Sequence, residues 1–141
     1  MINLPEVVVN NVAVLVAAVV SMILGAIWHG PLFGKTWMKA AGVTKADIEK
    51  DKKEMPMMYA ITFVGTLVTA YVLAVFIGWV GANTIALAVI LSFLVWLGFV
   101  VTSSLGPVVW EKRNQQLFLI GVSYSFVSLI IMSSIIAVWP A

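Results

Sequence analysis

Four apolar stretches, at about residues 7–28, 57–80, 84–106 and 117–139, divide the chain, and the charged side chains are confined to what separates them. Apart from Glu6, every Asp, Glu, Lys and Arg falls within residues 35–54 or 111–113. Each stretch is close to the ~20 residues that a ~30 Å hydrocarbon core demands of a helix. The pattern predicts an all-α membrane protein: one domain, residues 1–141, built as a compact bundle of four transmembrane helices. A cleaved signal peptide would need a basic region ahead of a shorter apolar run. The first stretch has Glu6 before it and no Lys or Arg, so it is expected to be retained.

Within the stretches, small residues recur at four-residue intervals. The first carries Ala13, Ala17, Ser21 and Gly25, with His29 continuing the series; the second carries Thr62, Thr66, Ala70, Ala74 and Gly78; the third carries Gly98, Thr102 and Gly106. Such rows form grooves that let helix backbones approach closely in lipid, where no hydrophobic effect drives helices together. In the fourth stretch Gly121, Tyr124, Ser125 and Ser128 fall within one ~100° sector at ~100° per residue. That polar stripe is expected to face protein or water.

The connections are read from their breakers and caps. Pro31 disfavours helix at Gly30, so the first helix is expected to stop or bend near His29. Phe33, Trp37 and Met38 alternate with Lys35 and Lys39, which predicts a short amphipathic helix in the headgroup plane. In "VTKADIEKDKKE" Thr44 caps a second short helix, Asp47 closes a variant capping box, Val43 staples onto Ile48, and Glu49 faces Lys53. The turn at residues 81–83 is short enough to predict an antiparallel hairpin of the second and third helices. The strings "HGPLFGKTWMK" and "LGPVVWEKR" suggest an internal duplication.

Composition narrows the function. At 62% hydrophobic and 10% charged, the chain lies far from the soluble average of about half apolar and a quarter charged. All 8 basic residues lie in the first and third connections. By the bias of basic residues toward the cytoplasm, that end is cytoplasmic and both termini are outside. The sequence pI of about 9.0 then reflects topology, with anionic lipid headgroups as partners and no nucleic acid. Trp28, Trp37 and Trp110 are placed as anchors at the inner boundary, Trp79 and Trp139 at the outer one, and Trp96 near mid-membrane. Without cysteine there is no disulfide, thiolate nucleophile or thiolate-held metal. A single histidine and the absence of H-E-x-x-H, P-loop and G-x-S-x-G patterns predict no catalytic residue, no metal site and no cofactor.

Several residues remain as candidates for polar or ligand-facing roles. His29 reads either as a proton acceptor reaching Glu111 or Arg113, or as an interfacial ring. Lys35, in a glycine-rich bend beside Trp37, reads as a phosphate holder or as a snorkelling side chain. Glu111, Lys112 and Arg113 read as a docking ion pair or as topology determinants. Tyr124, Ser125 and Ser128 either line a crevice or bond helix to helix. Gly121 joins the other glycines as a packing position. Trp96 and Tyr71 are expected in the core, with a partner for the Tyr71 hydroxyl.

The stretches "GAIWHGPLFGKTWMKAAGVTKADI", "WLGFVVTSSL" and "WEKRNQQLFLIGVSYSFVSLIIMSSIIAVW" resemble a family of bacterial membrane proteins, domain of unknown function 1761. Its pattern is similar to G-x-x-W-Y-x-P followed by F-G-K-x-W-M, which Gly25, Trp28, Pro31, Phe33, Gly34, Lys35, Trp37 and Met38 match. His29 stands where that pattern has tyrosine. The resemblance implies four membrane helices and a bacterial membrane setting, expected to be the inner membrane, and supplies no activity. The expected function is transport, permeation or binding of a small solute by a homo-oligomer; the alternative is a structural or lipid-binding membrane protein.

Overall fold

A computed structural model describes residues 2–140, whose regular structure is entirely helical. The long helices are α1 (Asn11–Leu32), α4 (Met55–Val80), α5 (Ile85–Trp110) and α6 (Gln115–Val138), all long and apolar enough to cross a membrane. Between α1 and α4 lie two short helices, α2 (Gly34–Ala41) and α3 (Lys45–Lys50).

Side-chain caps mark where three of the four long helices begin, while α4 starts with a proline in its first turn and no side-chain cap. Asn10 Oδ1 accepts from the amides of Val12 and Ala13 at 3.0 and 3.1 Å, so α1 starts at Asn11, four residues inside the apolar stretch. Thr84 caps α5 and Asn114 caps α6 in the same way. Ahead of α1 the chain is extended and lies against the end of α4. There the side chain of Val7 occupies the space over Gly78, and the Trp79 indole donates to the Pro5 carbonyl at 3.2 Å. Gly78 and Trp79 therefore hold the N-terminal segment.

At the other end of α1 the regular α-helix ends at Ile27, beside the expected break near His29, and a change of helix type follows. Trp28–Leu32 is a π-helical turn containing Pro31, and the Phe33 amide donates to the Trp28 carbonyl five residues back at 2.9 Å. Widening the turn accommodates a residue that has no amide proton and would clash in an α-turn. Gly34 is required immediately afterwards, because a Cβ there would lie 2.8 Å from the His29 carbonyl oxygen. A second π segment, Trp96–Val101, interrupts α5.

Helix α6 is the centre of the packing. It lies against α1, α4 and α5, and α1 also packs on α4. Ala17, Ala18, Ala70 and Ala74 are buried between these helices with Leu73, Leu129 and Met132. Ala13 and Ser21 are buried on the same side of α1, so the rows on α1 and α4 bring their backbones together. The row on α5 does not: a Cβ at Gly98 or Gly106 would meet nothing within 4 Å, and the same holds at Gly121 of α6. These three glycines are not sites of close approach within the chain.

The expected hairpin is corrected. Helices α4 and α5 are joined by only residues 81–84, yet they scarcely touch. Each has its buried face elsewhere: α4 presents Ala70, Ala74 and Ile77 to the core, while α5 buries Ala88 and Ser92. Ser92 Oγ is 2.8 Å from Ser133 Oγ and donates to the Leu129 carbonyl at 3.0 Å, both on α6. A hydroxyl in an apolar surround goes where a partner is available, and on α5 that partner is α6.

The first connection folds back on the bundle, with α2 packed against α6. Thr44 and Asp47 form the capping box at α3: Thr44 Oγ1 accepts from the Asp47 amide at 3.2 Å, and Asp47 Oδ2 accepts from the Thr44 amide and hydroxyl at 2.9 Å. The backbone bond from Thr44, then its hydroxyl, holds the Asp47 carboxyl below its ordinary value. Glu49 pairs with Lys52 at 3.7 Å and not with Lys53, because α3 ends at Lys50 and the i,i+4 geometry is not continued.

Candidate functional site

The splay of α4 and α5 leaves a groove on α6, and the polar stripe forms its floor. Ser125 and Gly121 line a cleft of about 440 Å³ with Ser103, Ser104, Arg113 and Asn114. Ser125 continues into a cleft of about 390 Å³, where Ser128 and Tyr124 face Thr62, Gly65, Thr66 and Thr69 of α4 and Val100 of α5. Tyr124 and Thr62 also border a third cleft of about 350 Å³, walled by Gly25, Ala26, His29, Gly30, Met22 and Tyr59. The three adjoin along one face of α6.

The floor is held to α1 by hydroxyl contacts. Tyr124 donates to the Ser21 carbonyl at 2.9 Å, and Ser21 Oγ lies 3.2 Å from the Tyr124 oxygen and 2.6 Å from Ser128 Oγ. Gly25 makes room for this arrangement, since a Cβ there would stand 3.0 Å from the Tyr124 hydroxyl. The absence of a side chain at Gly25 and the presence of the Tyr124 phenol are thus two halves of one contact.

The walls are less polar than their composition. Thr62, Thr66 and Thr69 each donate to the carbonyl four residues back, at 2.8, 2.8 and 3.1 Å. Ser125 does the same to Gly121 at 3.0 Å. With the hydroxyl protons engaged by their own helix, the threonines offer mainly methyl groups to the groove. A hydroxyl-rich row in the sequence thereby becomes a largely apolar wall.

His29 sits in the π-helical turn and is oriented by its own helix. Its Nδ1 is 3.0 Å from the Gly25 carbonyl; a carbonyl only accepts, so Nδ1 carries the proton and Nε2 is left for another partner. The ring stands edge-on to Tyr124 and to Trp37, with centroids 5.3 and 6.2 Å apart. It does not reach the third connection, where Arg113 and Glu111 pair with each other at 2.9 Å. Lys35 is exposed at the start of α2. Lys112 has a left-handed backbone, φ 53°, in the tight link to α6. Among the described residues no group of three or more His, Cys, Asp or Glu side chains is placed to hold a metal ion.

Two tryptophans read as an anchor and a core residue turn out to share a different role. The Trp28 indole donates to the Ile120 carbonyl at 3.2 Å and the Trp96 indole to the Val122 carbonyl at 2.7 Å. Each is the first residue of a π segment, and each opens a Trp-x-Gly triplet, Trp28–Gly30 and Trp96–Gly98. This triplet is the repeated signal in the two odd-numbered spans; the Gly-Pro pairs are not equivalent, since Pro31 lies in a π-turn and Pro107 in regular α-helix. Trp110 is 86% exposed and Tyr71 49% exposed, so Tyr71 belongs to the outer face and not to the core. Trp37 and Trp139 are half-buried. The buried pair Ser92 and Ser133 went unread, although each is a lone hydroxyl on an otherwise apolar face.

A family model described as "Protein of unknown function (DUF1761)" matches residues 12–137. No curated protein matches the chain, and no solved structure does.

Proposed function

We propose, for a chain that belongs to the DUF1761 family of proteins of unknown function, a non-enzymatic role: binding a small solute in the groove on α6 and letting it pass when a second copy closes the open side. The observation that supports this reading is the separation of α4 from α5, which leaves a cleft over α6 bordered by Ser125, Tyr124 and Ser128. A groove open along its length is not a pore. A path through the membrane requires a cover, and a homo-oligomer supplies one without further components.

The proposed setting is the bacterial inner membrane, with the end carrying Lys35, Lys39, Lys112 and Arg113 in the cytoplasm and both termini outside. Those side chains would then meet anionic headgroups, at about 1 kcal/mol for each cation near the surface. Because the chain has no cysteine, single-cysteine variants report the orientation without background. Lys45→Cys is expected to be shielded from a membrane-impermeant maleimide in intact cells, and Asn83→Cys to react. The reverse pattern would refute the orientation.

Flux tests the passage itself. Vesicles reconstituted with the protein are expected to release entrapped small solutes faster than protein-free vesicles, and Ser125→Trp, which fills the groove, is expected to cut that excess by about tenfold or more, the size of effect that overfilling a packed site produces. Absence of any excess release would remove the passage reading. The structural, lipid-binding alternative draws support from a separate observation: the groove hydroxyls of Thr62, Thr66, Thr69 and Ser125 all donate within their own helices.

A further inference from the structure

The two halves of α5 are held differently. The first half, Ile85–Val95, buries Ala88 and Ser92, and Ser92 is bonded to Ser133 and to the Leu129 carbonyl of α6. Trp96 adds the last fastening, with its indole on the Val122 carbonyl and its ring against Phe126. The second half, Thr102–Trp110, has no buried residue. Its Thr102 and Ser103 hydroxyls donate to the carbonyls of Gly98 and Phe99, within α5 itself. Among the described residues no side-chain hydrogen bond joins this half to another helix.

Between the halves lies the π segment Trp96–Val101, in which a Cβ at Gly98 would meet nothing within 4 Å. A π turn interrupts the α-helical ladder and is one of the few places where a helix kinks sharply. The other π turn supplies the contrast. After Trp28–Leu32 the chain is buttressed at once, with Gly34 tight against the His29 carbonyl and α2 packed on α6. After Val101 there is open space instead. A cleft of about 440 Å³ runs along the seam, with Ser104, Pro107 and Val108 on one side and Leu117, Gly121 and Ser125 on the other. Gly121 contributes no side chain to fill it, and a Cβ there would also meet nothing within 4 Å.

We infer that the second half of α5 is a hinged lid, which turns at the π segment to close this cleft onto Gly121. Its 9 residues make an arm of about 13 Å, so a change of about 20° at the hinge carries the tip about 5 Å. The non-helical link at residues 111–113 permits this, since three residues reach about 10 Å when extended. The surroundings permit it too. In water an opening helix would expose apolar surface, whereas lipid tails replace the side chains of α6 at little cost. Ser92 and Trp96 meanwhile keep the first half in place. As control over the groove the lid rests on the reading proposed above; as a motion it rests on the contacts of α5 alone.

Distances between paired spin labels test it on the full chain in lipid nanodiscs, where the absence of cysteine leaves the choice of sites free. Met58→Cys with Val109→Cys spans α4 and the second half of α5, and Val72→Cys with Ile90→Cys spans α4 and the first half; all four positions are exposed. The first pair is expected to show two maxima about 5 Å apart, and the second pair one. Gly121→Leu, which fills the cleft, is expected to remove one of the two maxima and leave the second pair unchanged. Gly98→Ala, which stiffens the hinge, is expected to shift the balance between the maxima about fivefold and serves should Gly121→Leu fail to fold. A single maximum for the first pair, as narrow as that of the second, or two maxima that neither substitution alters, would overturn the inference. The distances are read without solute. Solute release by a protein whose first pair shows one maximum therefore refutes the lid and leaves passage standing, and two maxima without release remove passage alone.

Discussion

Trp96→Ala is expected to loosen α5 from α6 at its middle. The indole does two things at once: it donates to the Val122 carbonyl at 2.7 Å, and its ring lies 4.7 Å from that of Phe126. In water, truncating such a residue costs about 3 to 5 kcal/mol. Lipid tails are as apolar as the side chains they replace, so the transfer part of that cost is absent and the loss of contacts remains. A destabilisation of about 2 to 4 kcal/mol is therefore expected, read from the midpoint of denaturation in mixed detergent micelles. Trp96→Phe keeps a ring and loses only the donor, and is expected to cost about 1 kcal/mol. If the two variants were equally mild, the Trp96 contacts would not be what fastens α5.

The second large effect distinguishes small residues that are packed from small residues that are not. Ala17 is wholly buried where α1 meets its neighbours, and Ala17→Leu adds volume with nowhere to go. The expected cost is about 1 to 3 kcal/mol, rising if the helices are forced apart. Gly98 has nothing within 4 Å of where a Cβ would be, so Gly98→Leu is expected to leave the denaturation midpoint of the isolated chain within about 0.5 kcal/mol of the parent. Equal losses at both positions would contradict the packing described here. Light scattering on the same samples adds an independent reading: a Gly98→Leu variant that is stable but has lost its oligomer would place the α5 row between copies.

The contrast also explains how far residue patterns carried. Segregation of charge revealed four long apolar helices, because no helix can hold charges in hydrocarbon cheaply. The rows on α1 and α4 translated into burial at Ala13, Ala17, Ala70 and Ala74. The identical spacing at Gly98 and Gly106 did not, since spacing says that a face is smooth and not what lies against it. Loop length misled at residues 81–84 for a similar reason: a short link makes two helices neighbours in the chain, while their contact is decided by which faces find partners. The stripe of Gly121, Tyr124, Ser125 and Ser128 was legible as one face, and it does floor the groove. The inward bonding of the threonine hydroxyls, which makes the opposite wall apolar, has no trace in composition.

The π segments were the hardest to foresee. A single five-residue turn shifts the register of a helix without altering its hydrophobic period enough to notice. In retrospect Trp-x-Gly is the mark they share, with the indole reaching across to α6 and the glycine leaving space behind it. His29 owes its position to one of these turns, and its free nitrogen owes its availability to the Gly25 carbonyl four residues back.

The central place of α6 has a consequence for how the protein is made. Synthesis proceeds from the N-terminus, and α6 is the last of the long helices to emerge. Until it does, α5 has no partner: Ser92 lacks its hydroxyl and carbonyl contacts, Trp96 lacks its acceptor, and α4 offers almost no contact. The first three long helices must wait in the bilayer partly unassembled, with α5 exposed to insertion factors and quality-control proteases. α1 and α4 can already pack on each other, whereas α5 joins the bundle only once α6 has arrived to receive it.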